Sequence, residues 1–426
     1  MEPQNREPYS TLGSRLRPPV INALMSAMLD NPRLLSLAAG FTDTTSLPSA
    51  SVSEAVEALR SRPGPPEHLQ YGTTQGRRRL RELLSARTTH HDVLWSGGIV
   101  PARTMIGNGS QQLLYLAMQV LCDPGDIVLV ERPTYFVLLE MLAGLGVRPV
   151  SLPAQADGSL NLEAIEALLD KLVRSGESAR LKAVYLVTYF ANPSAISRSE
   201  AEKCALARLL GDRGLFAPVI EDAAYRELWF DAPWAARSVF ALDSWEGFQQ
   251  LYLGTLTKPF ASGLKIGFAH GSDASLLDRM TWLKGHHDFG SANFNQAILE
   301  HALESGAFDA HLELLRPAYA DKMWHLNTAL ESAGLRDLGW EWEIPAGRLY
   351  LWLRAPEGID TSVDGAFWAA CMEEEVLYVP GDLCIAERDV RWHVRLSFGV
   401  LDATGLEEAA RRFARAAARL STMSVH

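Results

Sequence analysis

Gly254-Thr255-Leu256-Thr257-Lys258-Pro259-Phe260-Ala261-Ser262-Gly263-Leu264-Lys265-Ile266-Gly267 is the stretch on which the rest of the chain turns. A short apolar run at residues 251–253 reads as a strand. It leads into two hydroxyl residues at alternate positions, Thr255 and Thr257, and a lysine follows at once. A lysine just past a strand end is exposed enough to react, yet apolar surface behind it lowers its pKa. An amine needs both properties to hold an aldehyde as a Schiff base. Seven residues on, past Ser262-Gly263, Lys265 supplies a second cation, and Thr255 and Lys265 can hold an anionic group on the same molecule. A turn with two surface lysines is the plainer reading, and the surroundings must decide.

Outward from this stretch the chain repeats strand, loop and helix. Gly107-Asn108-Gly109-Ser110-Gln111-Gln112 precedes a helix running to Leu121, and residues 126–131 form a strand followed by Arg132-Pro133-Thr134-Tyr135 and another helix. Residues 182–188 read as a strand ending near Ala191-Asn192-Pro193-Ser194, with a helix beginning near Ser199. Residues 217–221 read as a strand ending in Asp222-Ala223-Ala224-Tyr225. Such alternation predicts an α/β fold: a mostly parallel sheet between helices. Ligands of these sheets sit beyond the carboxyl ends of the strands. Lys258, Asp222, Tyr225, Asn192, Tyr135 and Ser110 all fall there, and this convergence outweighs any single motif.

Each position has its own chemistry. Gly109-Ser110-Gln111 opens a helix whose free N–H groups and dipole suit a phosphate, although a plain serine N-cap looks the same. Tyr135 can stack on a flat heterocycle or merely pack. Asp222 ends an apolar strand, where a buried carboxylate needs a cationic partner. A protonated pyridine nitrogen is such a partner, and protonation makes the ring an electron sink. Tyr225 and Asn192 can then hydrogen-bond the ring hydroxyl, or Asn192-Pro193 is only a turn.

Bulk properties set the limits. At 426 residues, two domains with a sizeable core are expected. With 47% hydrophobic and 21% charged residues, the composition is that of a soluble globular protein. A net charge of −11 argues against nucleic acid, which wants a basic face. Cys122, Cys204, Cys371 and Cys384 show neither metal-ligand spacing nor a paired framework, so no metal and a reducing cytoplasm are expected. No signal-peptide pattern opens the chain, and no apolar stretch is long enough to span a bilayer.

Towards the N-terminus, Val20, Leu24 and Met28 lie at helical spacing. Residues 34–40 read as a short strand ending in Gly40. Residues 51–59 read as a serine-capped helix, and Tyr71-Gly72 belongs to a polar loop before a helix over 77–86. The pair His90-His91 finds no partner at ligand spacing and reads as surface.

Taken together, these motifs resemble the fold type I, pyridoxal-phosphate-dependent aminotransferases of class I/II. The 2-aminoadipate and aromatic (kynurenine-type) branch is the most similar, and it in turn resembles the aminotransferase half of certain transcriptional regulators. The resemblance runs from about Asn22 to Ala417. It rests on Ser36-Leu-Ala-Ala-Gly40, Tyr71-Gly72, Gly109-Ser110-Gln-Gln, Pro-Gly-Asp126, Pro-Thr-Tyr135, Asn192-Pro193, Glu221-Asp222-Ala-Ala-Tyr225, Thr257-Lys258 and Arg395-Leu-Ser-Phe398. It implies a large domain at 49–305 with a seven-stranded sheet, and a small α+β domain at 306–426 joined by the N-terminal segment 1–48. Lys258 is implied as the Schiff-base lysine, Asp222 on the pyridine nitrogen, Tyr225 and Asn192 on the ring hydroxyl, and Tyr135 stacked on the ring. Gly109, Ser110, Gln111, Thr255, Thr257 and Lys265 are implied around the phosphate, and Arg395 on the substrate α-carboxylate. A homodimer is implied, in which Tyr71 reaches the partner's site. The implied reaction moves an amino group between an L-amino acid and a 2-oxo acid. Elimination, cyclisation or oxidation are alternative outcomes on the same cofactor, and a ligand-sensing regulator is a further one from a different class.

Departures from the family pattern are as informative. Lys265 stands where arginine is usual, Ser262 for proline, Ala195 for glycine, and Arg348 for the second glycine of a pair. Gly40, Tyr350 and Arg348 are implied at the substrate side chain. Arg348 either reads an acidic group there or points away into solvent.

Overall fold

The computed structural model describes residues 8–93 and 96–423. Near the start, β1 (Leu35–Ser36) is a two-residue strand. Seven strands then build the main sheet: β2 (Thr104–Asn108), β3 (Ile127–Val130), β4 (Arg148–Ser151), β5 (Leu181–Leu186), β6 (Val219–Asp222), β7 (Gln250–Thr255) and β8 (Ile266–Gly271). Their spatial order is β2-β8-β7-β6-β5-β3-β4. The pairs β3–β4, β3–β5, β5–β6 and β6–β7 are parallel, and β8 runs antiparallel between β2 and β7.

Strand side chains alternate between the two faces, so an apolar run fills both layers of a sheet covered on both sides. Val128 and Val130 pack with Leu113, Leu116 and Ala117 of the helix Gly109–Leu121. Ile127 and Leu129 pack instead with Ile165 and Leu169 of Leu162–Arg174 and with Leu206 and Leu210 of Glu200–Gly211. The last of these helices begins at Ser199 with a capping box in which Glu202 answers back. Because β3, β5, β6 and β7 run the same way, the ends that carry Tyr135, Asn192, Asp222 and Lys258 share one edge.

A second, antiparallel sheet has the order β12-β13-β10-β9, formed by β9 (Glu341–Trp342), β10 (Tyr350–Arg354), β12 (Val379–Pro380) and β13 (His393–Ser397). The remaining strand, β11 (Val376–Leu377), pairs in parallel with β1, which ties the N-terminal segment to the C-terminal part. Behind this sheet, Trp340, Phe367 and Phe413 form an aromatic nest with centroids 5.0–5.2 Å apart. Arg348 N–H donates to Leu228 O at 2.6 Å and Phe230 N–H to Ala346 O at 2.9 Å, joining the segment before β10 to the loop after β6. Among the described residues, no helix is long and apolar enough to cross a membrane.

Three local expectations are corrected. The helix expected over 51–59 begins at Ser49, directly after Pro48, and has no side-chain cap, because the N-cap position is held by a proline, whose side chain accepts no hydrogen bond. The strand expected over 34–40 pairs only at Leu35–Ser36; beyond it the chain turns inward to the site. His90 is exposed, but His91 is half-buried, its Nε2 3.5 Å from Glu227, and burial lowers its pKa to about 4. Val20–Asp30 is helical with Leu24 buried, while the side chain of Met28 lies outside the described ones.

Candidate active site

Lys258 stands in the turn after β7, half-buried, and its Nζ donates to the Gly40 carbonyl. Burial lowers its pKa. The Tyr350 phenol opposes that shift, and the charges of Arg395, Arg348 and Lys265 add to it. Asp222 closes β6 and is buried, with Oδ2 accepting from the Tyr185 hydroxyl at 2.8 Å and Oδ1 from the Ala224 N–H at 3.0 Å. Burial pushes its pKa up. Tyr185 was not anticipated; a hydroxyl inside the otherwise apolar run Ala183-Val-Tyr-Leu-Val187 was the signal for it.

The anion end lies between two elements. The helix Gly109–Leu121 opens with Gly109 at φ +74° and carries no side-chain cap, so its first N–H groups are free for a ligand. Gly267 of β8 lies so close that a Cβ there would overlap the Ser110 N–H and the Gly109 backbone. Thr255 Oγ1 accepts from the Thr257 N–H at 3.1 Å, and Lys265 is exposed at φ +57°. Tyr135 is half-buried, and its hydroxyl donates to Gln111 Oε1 at 3.3 Å.

The carboxylate end is built on β13. Arg395 is 2% exposed; its Nη1 donates to Asn192 Oδ1 at 3.2 Å, its Nη2 to Ala38 O at 2.8 Å, and its Nε has no partner. The expected strand arginine is therefore inside the molecule. Its guanidinium lies 4.1 Å from the centroid of Tyr350. The Tyr350 hydroxyl meets that of Tyr225 at 3.5 Å and sits where a side chain on Gly40 would clash. Burial alone would raise the Tyr350 phenol, but Arg395, Lys258 and Arg348 bring it down to about 8.

Arg348 is fully buried, which removes the solvent-facing alternative. Two glycine-replacing positions keep a glycine-like backbone, Ala195 at φ +62° and Arg348 at φ +84°. Ser262 accepts a hydrogen bond from the Thr42 hydroxyl at 3.1 Å. Tyr71, by contrast, is 82% exposed and meets Phe289 edge-on at 5.7 Å.

Among the described residues none of the cations Lys258, Lys265, Arg348 and Arg395 forms an ion pair; the charges of the last three act on the Lys258 amine, and that of Arg348 on Asp222. Residues 32–413 match the family of class I and II aminotransferases.

The chain belongs to that family.

Over 411 residues it is 29% identical to a 2-aminoadipate transaminase of Thermus thermophilus, covering 96% of each chain. It is 28% identical over 389 residues to an aromatic-amino-acid aminotransferase of Thermococcus litoralis, covering 91% of this chain and 88% of that one. A crystal structure of the kynurenine aminotransferase of Pyrococcus horikoshii superposes with a TM-score of 0.85 at 28% identity, covering 97% of both chains. The protein is a pyridoxal-phosphate-dependent aminotransferase, moving an amino group between an amino acid and a 2-oxo acid. The residues present fit the cofactor. An uncapped helix N-terminus faces Gly267, and the buried Asp222 carboxylate has hydrogen-bond donors but, among the described residues, no cation bonded to it.

Proposed function

We propose that Lys258 is the amine that carries pyridoxal phosphate in this aminotransferase, with Asp222 on the ring nitrogen and Tyr225 and Asn192 on the ring hydroxyl. Tyr135 stacks on the ring. Gly109, Ser110, Gln111, Thr255, Thr257 and Lys265 hold the phosphate. Arg395 takes the substrate α-carboxylate, with Gly40, Tyr350 and Arg348 at the side-chain end. The observation that carries this reading is Arg395, a guanidinium 2% exposed with no ion pair among the described residues and with Nε unpartnered. A buried cation of this kind is completed by an anion, and a substrate carboxylate is one.

When bound, the cofactor supplies a protonated ring that withdraws electrons from the substrate Cα. Arg395 orients the substrate. Asn192 and the Ala38 carbonyl fix its guanidinium plane, so the remaining N–H groups meet a carboxylate in one direction. Lys258, freed by the incoming amine and with its pKa lowered by burial, takes the proton from Cα as general base and returns it as general acid. Burial pushes the Asp222 pKa up, and a cation opposite it favours its ionised form.

The same reading makes the enzyme a cytoplasmic homodimer with shared sites, divided at residues 1–48, 49–305 and 306–426. Exposed Tyr71 and Phe289, in edge-on contact, support the dimer as an apolar pair open to a partner. The central test is borohydride reduction followed by peptide mass spectrometry. The cofactor is expected on Lys258, and K258A protein that still traps it on another lysine refutes the assignment. Mixing the protein with single amino acids, and following the cofactor absorbance and the oxo acid formed, identifies the donor.

A further inference from the structure

Tyr185 carries a hydroxyl into a layer that is otherwise apolar. It lies on β5 opposite Ile220 of β6 and packs in one cluster with Ile220, Val130 and Leu253. Paired residues of neighbouring strands share a face, and so do residues two apart on one strand. Asp222 is therefore the next residue of β6 on the face that Tyr185 occupies. The phenol is long enough to bridge that step. Tyr185 is fully buried, and its hydroxyl donates to Asp222 Oδ2 at 2.8 Å; among the described residues it has no other hydrogen-bond partner. A phenylalanine would fill the same space without a polar group to bury, so what the hydroxyl adds is confined to that carboxylate.

The Ala224 N–H holds the other oxygen, Oδ1, at 3.0 Å. One donor thus comes from β5 and the other from the loop after β6, and a carboxylate bonded at both oxygens to separate elements does not rotate freely. Each oxygen keeps a free lone pair, and those lone pairs hold one direction. A phenol, with an ordinary pKa of about 10, is a donor at neutral pH, and a donor on a carboxylate favours its ionised form. That form is the one that pairs with a protonated ring nitrogen. We propose that Tyr185 is a positioning residue, whose hydroxyl fixes the plane of Asp222 and favours the ionised carboxylate that the pyridine nitrogen of the cofactor pairs with. In this role it acts through Asp222 alone. The inference rests on the assignment of Asp222 to the ring nitrogen made above.

The test uses enzyme loaded with pyridoxamine 5'-phosphate, which is held without a covalent bond to Lys258. The fraction of cofactor retained through gel filtration is read across an acid pH series for the parent, Tyr185→Phe, Asp222→Asn and the double variant. Circular dichroism at each pH separates release from unfolding. A hydrogen bond to a charged group is strong enough to move a carboxyl titration by about one to two pH units. The acid limb of retention is therefore expected to lie about one to two pH units higher in Tyr185→Phe than in the parent. Asp222→Asn should retain less cofactor at neutral pH, and adding Tyr185→Phe to it should move neither the level nor the limb. Titration of the phosphate is common to all four proteins and cancels. If Tyr185→Phe does not fold, Tyr185→Met, an adaptable apolar side chain, is read in its place. A folded Tyr185→Phe whose acid limb coincides with the parent's overturns the proposal. So does a shift of the same size in the Asp222→Asn background, which marks a packing role. Asp222→Asn that holds the cofactor like the parent sinks the underlying assignment of Asp222, and this inference with it. Loss in Asp222→Asn without a shift in Tyr185→Phe removes only the role of Tyr185.

Discussion

Arg395→Ala is the perturbation whose size the structure defines best. A guanidinium has five N–H groups, and here two are committed, one to Asn192 and one to Ala38 O. Three remain, enough for a two-bond grip on a carboxylate. Each charge-assisted bond contributes about 1.5–3 kcal/mol. Losing two therefore costs on the order of 3–6 kcal/mol, roughly a hundredfold to ten-thousandfold in the second-order rate constant. Arg395→Lys keeps the charge but has a single nitrogen to divide among Asn192, Ala38 and the substrate, so an intermediate loss of about tenfold to a hundredfold is expected. The assay is a single-turnover reaction of pyridoxal-phosphate-loaded enzyme with an amino acid, run beside a primary amine of the same side chain that lacks the carboxylate. The amine should react equally with parent and variant, because it offers Arg395 nothing to bind. The reasoning fails if Arg395→Ala reacts with the amino acid within about fivefold of the parent, or if it loses as much on the amine as on the amino acid.

Asp222→Asn separates stability from cofactor retention. Burial raises the folded carboxylate's pKa above its unfolded value. Folding is therefore favoured below the ordinary carboxylate range and loses stability as pH rises through the raised value. In cofactor-free protein, Asp222→Asn should raise Tm at pH 7–8, with the gain disappearing in acid, and the loaded variant should release cofactor faster by dialysis; equal gains at both pH values would show that the carboxylate charge is not the cause. For the shared site, mixed dimers of inactive Tyr71→Phe and Lys258→Ala subunits should regain activity, since one of their two sites is free of both changes. No recovery in verified hybrids, given a severely impaired Tyr71→Phe parent, would count against Tyr71 crossing between subunits.

Much of this site was legible because its main residues follow strand ends. Asp222 closes β6 and Lys258 follows β7 by three residues. An apolar run followed by a polar residue is a local pattern, and the direction of parallel strands brings such ends to one edge. Ser110 was legible for the same reason, lying one residue into a helix that begins directly where β2 ends. The helix start at Ser49 and the burial of His91 were missed, because the first follows from a proline just outside the serine pattern and the second from packing beside Glu227.

The sequence by itself determined the layered sheet. Ile127-Val-Leu-Val130 is apolar at every position, and such a strand is stable only when helices cover both faces. It also determined which side chains stand at the ligand edge. Only the tertiary structure decided how they are held. The partner of Arg395 at Ala38 lies 357 residues away along the chain, and that of Lys258 at Gly40 lies 218 away. Both contacts are to backbone carbonyls, which every residue type carries and no pattern of side chains marks. The inward turn of Arg348 has the same origin. A left-handed backbone at residue 348, pinned through Leu228, aims the side chain at Phe190, Tyr225 and Tyr350. Periodicity places a residue on an element, but packing between distant elements sets which way a long, flexible cation turns.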